Sequence, residues 1–192
     1  MSIAPGSGQR EKWEDLHIPS RMLEALRKFN PTVPVQYLQQ ALAEIVAPTS
    51  TDAITENYRI HKYLTDGYRG ITFIDSDGRE NNPTLHLVSP DPDENDWLAV
   101  NQVTIHRAAF RRRFDVVLYC NGMPISIIEL KQAGSHHGDI AQAHAQLQTY
   151  LDEFPLAFRF TVLNLTSDGI LATYGTPFTP GRVCWPRSLG NW

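Results

Sequence analysis

The sequence has little cysteine and no long apolar run. Only two cysteines, Cys120 and Cys184, occur among 192 residues, which is too few for a disulfide framework. No apolar stretch is long enough to span a bilayer, and the first residues do not have the pattern of a signal peptide. These absences argue against a disulfide-stapled secreted domain and against a membrane partner, and they favour a cytoplasmic protein.

The sequence also lacks a phosphate-binding loop and an excess of positive charge. Without a Gly-x-x-x-x-Gly-Lys-Ser/Thr motif, use of ATP cannot be assigned to these residues. The formal net charge is −4, whereas binding to a DNA backbone needs local basic charge. A basic run does occur just before Asp115, at Arg107, Arg111, Arg112 and Arg113. Such a run is more often a solvated loop, and contact with phosphate is the alternative.

Length and composition predict one domain with a real core, because 42% of the residues are hydrophobic. We expect a flexible start at residues 1–20, a helical segment at 21–66, an α/β core at 67–176 and an irregular tail at 177–192. The core is expected to be a mixed sheet flanked by helices.

Hydrophobic periodicity predicts the elements. Helices are expected at residues 21–29, between Pro34 and Pro48, at 51–64 and at 140–152. Strands are expected at residues 84–89, 97–106, 116–120, 125–128, 158–165 and 170–174, with a polar loop at 75–83. The strand–helix–strand order around residues 125–165 predicts at least one crossover.

The most informative stretch is residues 113–131. Two apolar runs flank Asn121-Gly122, which is a strong signal for a β-hairpin. Asp115 opens the first strand, and Glu129 and Lys131 close the second. Folding the hairpin therefore brings these three charges to the same end of the sheet.

The alternation of side chains along a strand decides whether the charges converge on one face of the sheet. Asp115 shares a face with Glu129 only if the numbers of paired residues sum to an even number. A two-residue loop pairs Cys120 with Met123, which is an odd sum. We therefore predict a bulged turn in which Gly122 is left-handed.

Two carboxylates and a lysine at one sheet end suit metal-dependent hydrolysis of a phosphodiester. Carboxylate oxygens bind hard divalent cations, and a bound cation polarises a phosphate and activates water. A lysine can orient that water or stabilise the developing charge. The structural alternative is an ion pair of Lys131 with Asp115 or Glu129, and the spacing alone leaves both interpretations open.

Asp115 followed by Glu129-Leu130-Lys131 resembles the PD-(D/E)XK nuclease signature. The surrounding sequence at residues 95–104 and 113–131 is similar to the N-terminal nuclease domain of the restriction (R) subunit of type I restriction-modification enzymes. Gln146-Leu-Gln-Thr-Tyr150 matches the Gln-x-x-x-Tyr motif of that family. The resemblance runs from about residue 21 to about residue 176, and Phe114 departs from the usual proline.

The resemblance implies a restriction-endonuclease-like core and a Mg²⁺-dependent type I site-specific deoxyribonuclease, with Mn²⁺ as a substitute. It implies Asp115 and Glu129 as metal ligands and catalytic residues, with Lys131 as the third catalytic residue. Gln146 and Tyr150 would support the site or contact DNA.

Three further residues are candidate metal ligands. Glu56 lies on the third expected helix, where many nucleases of this class carry an acidic residue, although a surface glutamate is the simpler interpretation. His136 and His137 could also bind a metal, but adjacent histidines in a loop usually do not.

The resemblance also implies partners. Type I R subunits normally continue into an ATP-driven DNA translocase, so this chain is expected to be an excised fragment or a shortened reading frame, with ATP acting only through the absent motor. The implied partners are double-stranded DNA and the methylation and specificity subunits. Two alternatives stay open: a catalytically silent nuclease-like docking or DNA-holding module, and a free-standing repair-type nuclease.

Overall fold

The computed structural model describes residues 3–4, 9–10, 12–131, 138–167, 172–178 and 184–185. Two hydrophobic clusters organise these residues around one mixed β-sheet. One cluster joins the N-terminal helices to the sheet, and the other joins the sheet to the helix that follows the central hairpin.

Three amphipathic helices come first, as predicted: α1 (Pro19–Phe29), α2 (Val35–Val46) and α3 (Ala53–Asp66). The Asp52 side chain caps α3 by accepting a hydrogen bond from the backbone N–H of Thr55 at 2.8 Å. Gly67 follows the helix with a positive φ of 78°. The buried faces of the helices share a cluster with Met123 and Phe160, so the helical segment packs directly on the sheet.

The chain packs against the rest of the protein before residue 20, where the flexible start was predicted to end. Leu16 and Ile18 are buried, and the backbone N–H of Ile18 donates to the carbonyl of Gly122 at 2.8 Å. Arg10 is also buried, and its guanidinium donates to the carbonyls of Ile3 and Thr104. The expectation of a flexible start is therefore wrong for residues 16–18.

Among the described residues, the main sheet has six strands. A small separate hairpin pairs β1 (Phe73–Ile74) with β2 (Glu80–Asn81). The main strands are β3 (Trp97–Arg107), β4 (Phe110–Cys120), β5 (Met123–Leu130), β6 (Leu163–Ser167), β7 (Ala172–Gly175) and β8 (Cys184–Trp185), adjacent in that order. All neighbours are antiparallel except β5 and β6, which are parallel and connected through α4 (Gly138–Glu153). The predicted crossover is confirmed.

The β4–β5 turn differs from the predicted bulged turn. It is a two-residue loop with Cys120 paired to Met123. Asn121 and Gly122 are both left-handed, with φ of 52° and 78°. The left-handed Gly122 is as predicted, but the bulge does not lie in the turn.

The bulge lies one step further along β5. The ladder shifts between the Tyr119–Pro124 and Leu118–Ser126 pairs, which leaves Ile125 as the extra residue. Beyond this point the paired numbers sum to an even value, so the register that the sequence requires is reached inside the strand.

The β3–β4 ladder is interrupted where Gln102 stands opposite Asp115. Gln102 has a φ of 57°, in the left-handed region that non-glycine residues rarely adopt. Across this point the core-facing residues are three apart instead of two on both strands. They are Val100 and Val103 on β3, and Phe114 and Val117 on β4.

Residues 84–89 do not form the predicted strand, apart from a single bridge between Leu85 and Tyr68. Side-chain amides bond the backbone there in place of a neighbouring strand. Asn30 accepts from the backbone N–H of His86 and donates to its carbonyl, and Asn121 donates to the carbonyl of Leu87.

The predicted strand at 158–165 also starts later than expected. Pro155–Phe158 form a 3-10 turn, and β6 begins only at Leu163. The side-chain amide of Asn57 donates to the carbonyls of Phe158, Arg159 and Thr161, which fixes this segment against α3.

Part of the predicted irregular tail joins the sheet, because β8 pairs with β7. Residues 179–183 and 186–192 of that tail lie outside the described residues. Within the described ranges, no helix combines the length and the apolar character needed to cross a membrane.

Candidate active site

The end of the β4–β5 hairpin brings Asp115 and Glu129 together. The pairing stops at Val116 and Ile128, and one further step in this register places Asp115 opposite Glu129. There the Asp115 carboxylate reaches across to β5, where its Oδ2 accepts the backbone N–H of Leu130 at 2.8 Å. The predicted convergence of the two carboxylates is confirmed, with the bulge at Ile125 as its cause.

Glu129 is buried, with 3% of its surface exposed, and its two oxygens differ. Oε1 accepts a hydrogen bond from Gln146, whereas Oε2 is buried and has no hydrogen-bond partner among the described residues. Burial and the negative charge of Asp115 raise the pKa of Glu129 to about 7, against the opposing effects of Lys131 and Gln146. The surroundings of the Glu129 carboxyl group therefore disfavour its ionised form.

Lys131 and Tyr150 are tied to Glu129 through Gln146, which lies on α4. The Lys131 ammonium donates to Oε1 of Gln146 at 2.7 Å and lies 3.5 Å from Oε1 of Glu129. The Gln146 amide nitrogen donates to Glu129 and to the hydroxyl of Tyr150. Because an ammonium only donates and a carboxylate only accepts, the network fixes which way the Gln146 amide points.

Tyr150 is buried, and its ring packs edge-on against Phe114 with the centroids 5.2 Å apart. The two residues of the Gln-x-x-x-Tyr motif therefore have different roles. Gln146 contacts the charged residues, whereas Tyr150 anchors that contact in the core between α4 and the sheet.

The site fits a hard divalent cation by the chemistry of its donors. A cation bound by the two carboxylates would offset their mutual repulsion and give the buried Oε2 of Glu129 a partner. The described residues contain no group of three or more His, Cys, Asp or Glu side chains arranged to hold a metal ion. Two carboxylates, those of Asp115 and Glu129, suit Mg²⁺, which keeps several of its waters.

The three consecutive arginines of the basic run do not act as one group. Arg111 and Arg113 are exposed on β4, whereas Arg112 points to the opposite side of the strand. Arg112 forms an ion pair with Glu153, and its guanidinium lies 6.0 Å from the centre of the Tyr150 ring. Arg111 and Arg113 remain candidates for phosphate contact, and Arg112 supports α4.

Glu56 is not brought into this site. It is fully buried, so its interpretation as a surface glutamate is wrong. Its Oε1 accepts hydrogen bonds from the backbone N–H groups of Thr49 and Ser50, and its Oε2 pairs with Arg59 at 2.6 Å. Burial opposes ionisation, but the hydrogen bonds from Arg59 and Thr49 outweigh it and lower the pKa of Glu56. These contacts hold the segment between α2 and α3 against α3.

Three further residues bear on the site: two candidate metal ligands and one residue that the sequence did not indicate. His136 and His137 lie outside the described residues. Gln102 was not singled out from the sequence, yet its amide nitrogen lies 3.4 Å from Oδ1 of Asp115. No local sequence signal marks it, because glutamine carries no preference for a left-handed backbone.

The mixed sheet flanked by helices, with paired carboxylates at the end of its central hairpin, defines a restriction-endonuclease-like fold. The sequence model of the family described as type I restriction enzyme R protein N terminus matches residues 3–182. The chain belongs to this family, the N-terminal domain of type I restriction enzyme R proteins.

Two curated relatives agree with this assignment. The HindI type I restriction enzyme endonuclease subunit of Haemophilus influenzae is 30% identical over 171 residues, which cover 85% of this chain and 16% of that protein. A Methanocaldococcus jannaschii protein provisionally named type I restriction enzyme MjaIXP endonuclease subunit is 23% identical over 184 residues, covering 91% of this chain and 17% of that protein. The chain thus spans about a sixth of the length of these relatives.

Proposed function

We propose that this chain is the Mg²⁺-dependent endonuclease domain of a type I restriction enzyme R subunit, with a PD-(D/E)XK active site that hydrolyses phosphodiester bonds of unmodified double-stranded DNA. The observation that carries the proposal is that Asp115 and Glu129 converge just beyond the last pair of the β4–β5 ladder, where the buried Oε2 of Glu129 lacks a hydrogen-bond partner among the described residues.

Asp115 and Glu129 would hold Mg²⁺, or Mn²⁺ as a substitute, through their carboxylate oxygens. When bound, the cation would supply Lewis-acid activation of the phosphate and lower the pKa of a coordinated water. Ionisation of Glu129 would accompany binding, because the pKa of its carboxyl group near 7 leaves it partly protonated at neutral pH.

Lys131 would orient the attacking water or stabilise the negative charge that develops on the phosphate. Its ammonium is held by Gln146, so the long side chain is directed before DNA arrives. Gln146 also donates to Glu129 and thereby fixes the carboxylate and the ammonium relative to each other. Tyr150 and Arg112 would maintain α4 behind this arrangement.

Arg111 and Arg113 would contact the DNA backbone from the face of β4 opposite to Arg112 and α4. Both are exposed, and both precede Asp115 on the same strand. Local basic charge of this kind would offset the net charge of −4.

The whole enzyme would provide target choice and DNA delivery. Specificity and methylation subunits would select unmodified DNA, and an ATP-driven motor elsewhere in the R subunit would deliver it. The match to the family of type I restriction enzyme R proteins supports these roles.

The test is plasmid cleavage by an assembled restriction complex whose R subunit carries this domain. We expect Asp115→Ala, Glu129→Ala and Lys131→Ala each to abolish cleavage of unmodified DNA while DNA-dependent ATP hydrolysis continues at the wild-type rate. Cleavage at the wild-type rate in Asp115→Ala and Glu129→Ala would contradict the proposal and favour a docking module.

A further inference from the structure

We propose that Gln102 is a positioning residue for Asp115: its side-chain amide orients the carboxylate for cation binding. This inference rests on the proposed metal-dependent function of the site. It concerns β3, a strand that contributes none of the residues assigned above.

The first observation is the backbone of Gln102. It lies within the eleven-residue strand β3, yet its φ is 57°. A left-handed backbone at a non-glycine residue is costly and persists only where the surrounding structure imposes it. The residue opposite this distortion is Asp115.

The second observation is what the distortion does to the strands. It reverses the order of inward and outward side chains on β3 and on β4 at the same step, so that Phe114 and Val117 are both in the core. Asp115 lies between them and is only half-buried. The carboxylate therefore stands outside the apolar cluster, at the point where the hairpin ladder ends.

The third observation is the division of donors on Asp115. Oδ1 lies 3.4 Å from the amide nitrogen of Gln102 on β3, and Oδ2 accepts the backbone N–H of Leu130 on β5. One donor from each flanking strand thus orients the carboxylate. Both donors are neutral, so they orient it without the charge that a lysine or arginine would set against a cation.

The experiment measures Mn²⁺ binding by calorimetry on this chain, with urea unfolding of every variant. Gln102→Ala removes the amide and keeps the backbone cost, whereas Gln102→Gly removes the amide and relieves that cost. Asn101→Ala, at the exposed neighbouring position, is the matched control. Asp115→Ala reports whether the carboxylate binds the metal at all.

We expect both Gln102 variants to bind Mn²⁺ about tenfold more weakly than wild type, as for other residues that orient metal ligands. Gln102→Gly should unfold at a higher urea concentration than Gln102→Ala, although both variants bind Mn²⁺ more weakly than wild type. The loss of affinity would then not follow from a loss of stability. Asn101→Ala should bind within twofold of wild type.

Wild-type affinity, within twofold, in either Gln102 variant while Asp115→Ala loses binding would overturn the role of Gln102 and leave the metal site standing. Wild-type affinity in Asp115→Ala would instead overturn the proposed metal site, and the role of Gln102 with it.

Discussion

Gln146 is the residue through which the charges of the site are coupled. Its amide accepts from Lys131 and donates to both Glu129 and Tyr150. A residue with the same shape and no polar atoms cannot make any of these contacts. The motif spacing of four residues predicts a shared helix face, but the division of these contacts is visible only in three dimensions.

We expect Gln146→Leu to weaken Mn²⁺ binding by about tenfold to a hundredfold, because the Glu129 carboxylate loses the donor that orients it. Calorimetry measures this. Gln148→Leu is the control, since Gln148 lies on the same helix and its amide nitrogen is 3.4 Å from the carbonyl of Pro177. Equal Mn²⁺ affinity of the two variants would contradict the role of Gln146.

His17 makes the stability of the fold depend on pH. It is buried, and burial together with the nearby Arg159 guanidinium lowers its pKa to about 4. An unfolded histidine has a pKa of about 6.5, so the unfolded chain binds more protons between pH 6.5 and 4. The stability that neutral His17 allows is complete above pH 6.5 and is lost as the pH falls towards 4.

We therefore expect the free energy of unfolding to fall by about 2 kcal/mol more in wild type than in His17→Gln between pH 7 and pH 5. Urea unfolding at both pH values measures the difference. Parallel losses in the two proteins would show that the pKa of His17 is not lowered.

At the level of elements, the central hairpin shows what the sequence determines. The sequence predicts that Asp115 lies opposite Glu129, because a metal site shared by the two carboxylates requires both on the same face of the sheet. The position of the bulge at Ile125 does not follow from the Asn-Gly turn, which indicates only a two-residue loop. Pro124 was the available signal, because proline inside a sheet occurs near bulges.

Other elements were decided by residues distant in sequence. Asn30 and Asn121 bond the backbone at residues 86–87, and Asn57 bonds the backbone at residues 158–161, which prevents strands there. A local pattern of apolar residues carries no information about these donors. The interruption at Gln102 is of the same kind, since it depends on the strand opposite.

Gly122 fixes the hairpin against the start of α1. A Cβ at this position would lie 2.5 Å from the carbonyl oxygen of Ile18 and 2.9 Å from the Cβ of Arg21. We expect Gly122→Ala to cost about 3 kcal/mol or more, because backbone strain and a steric clash add together. Urea unfolding measures this cost.

Gly78 is the matched control for that prediction. Its φ is 79°, close to that of Gly122, but a Cβ there would meet nothing within 4 Å. Gly78→Ala should therefore cost only about 1 kcal/mol, the strain of the left-handed backbone. Equal costs at the two positions would mean that the contact with the start of α1 contributes nothing.

For the molecule as a whole, the proposed binding to DNA must overcome a net charge of −4. If Arg111 and Arg113 each contact a phosphate, replacing both with glutamine should reduce the slope of log affinity against log salt by about 1.8. Fluorescence anisotropy with a short duplex at several salt concentrations measures this slope.

Arg112→Gln serves as the control, because Arg112 pairs with Glu153 and should leave the slope unchanged. An unchanged slope in the double variant, or the same change in Arg112→Gln, would contradict the separation of these arginines into two roles.

The most direct test of the central claim is calorimetric binding of Mg²⁺ and Mn²⁺ to this chain, with and without a short duplex. Wild type is compared with Asp115→Ala, Glu129→Ala and, as a control, Glu24→Ala at an exposed position on α1. We predict that wild type and Glu24→Ala bind the cations, whereas the other two remain folded and lose binding. Identical behaviour of all four proteins, in both the presence and the absence of duplex, would show that the charges at the hairpin end are structural.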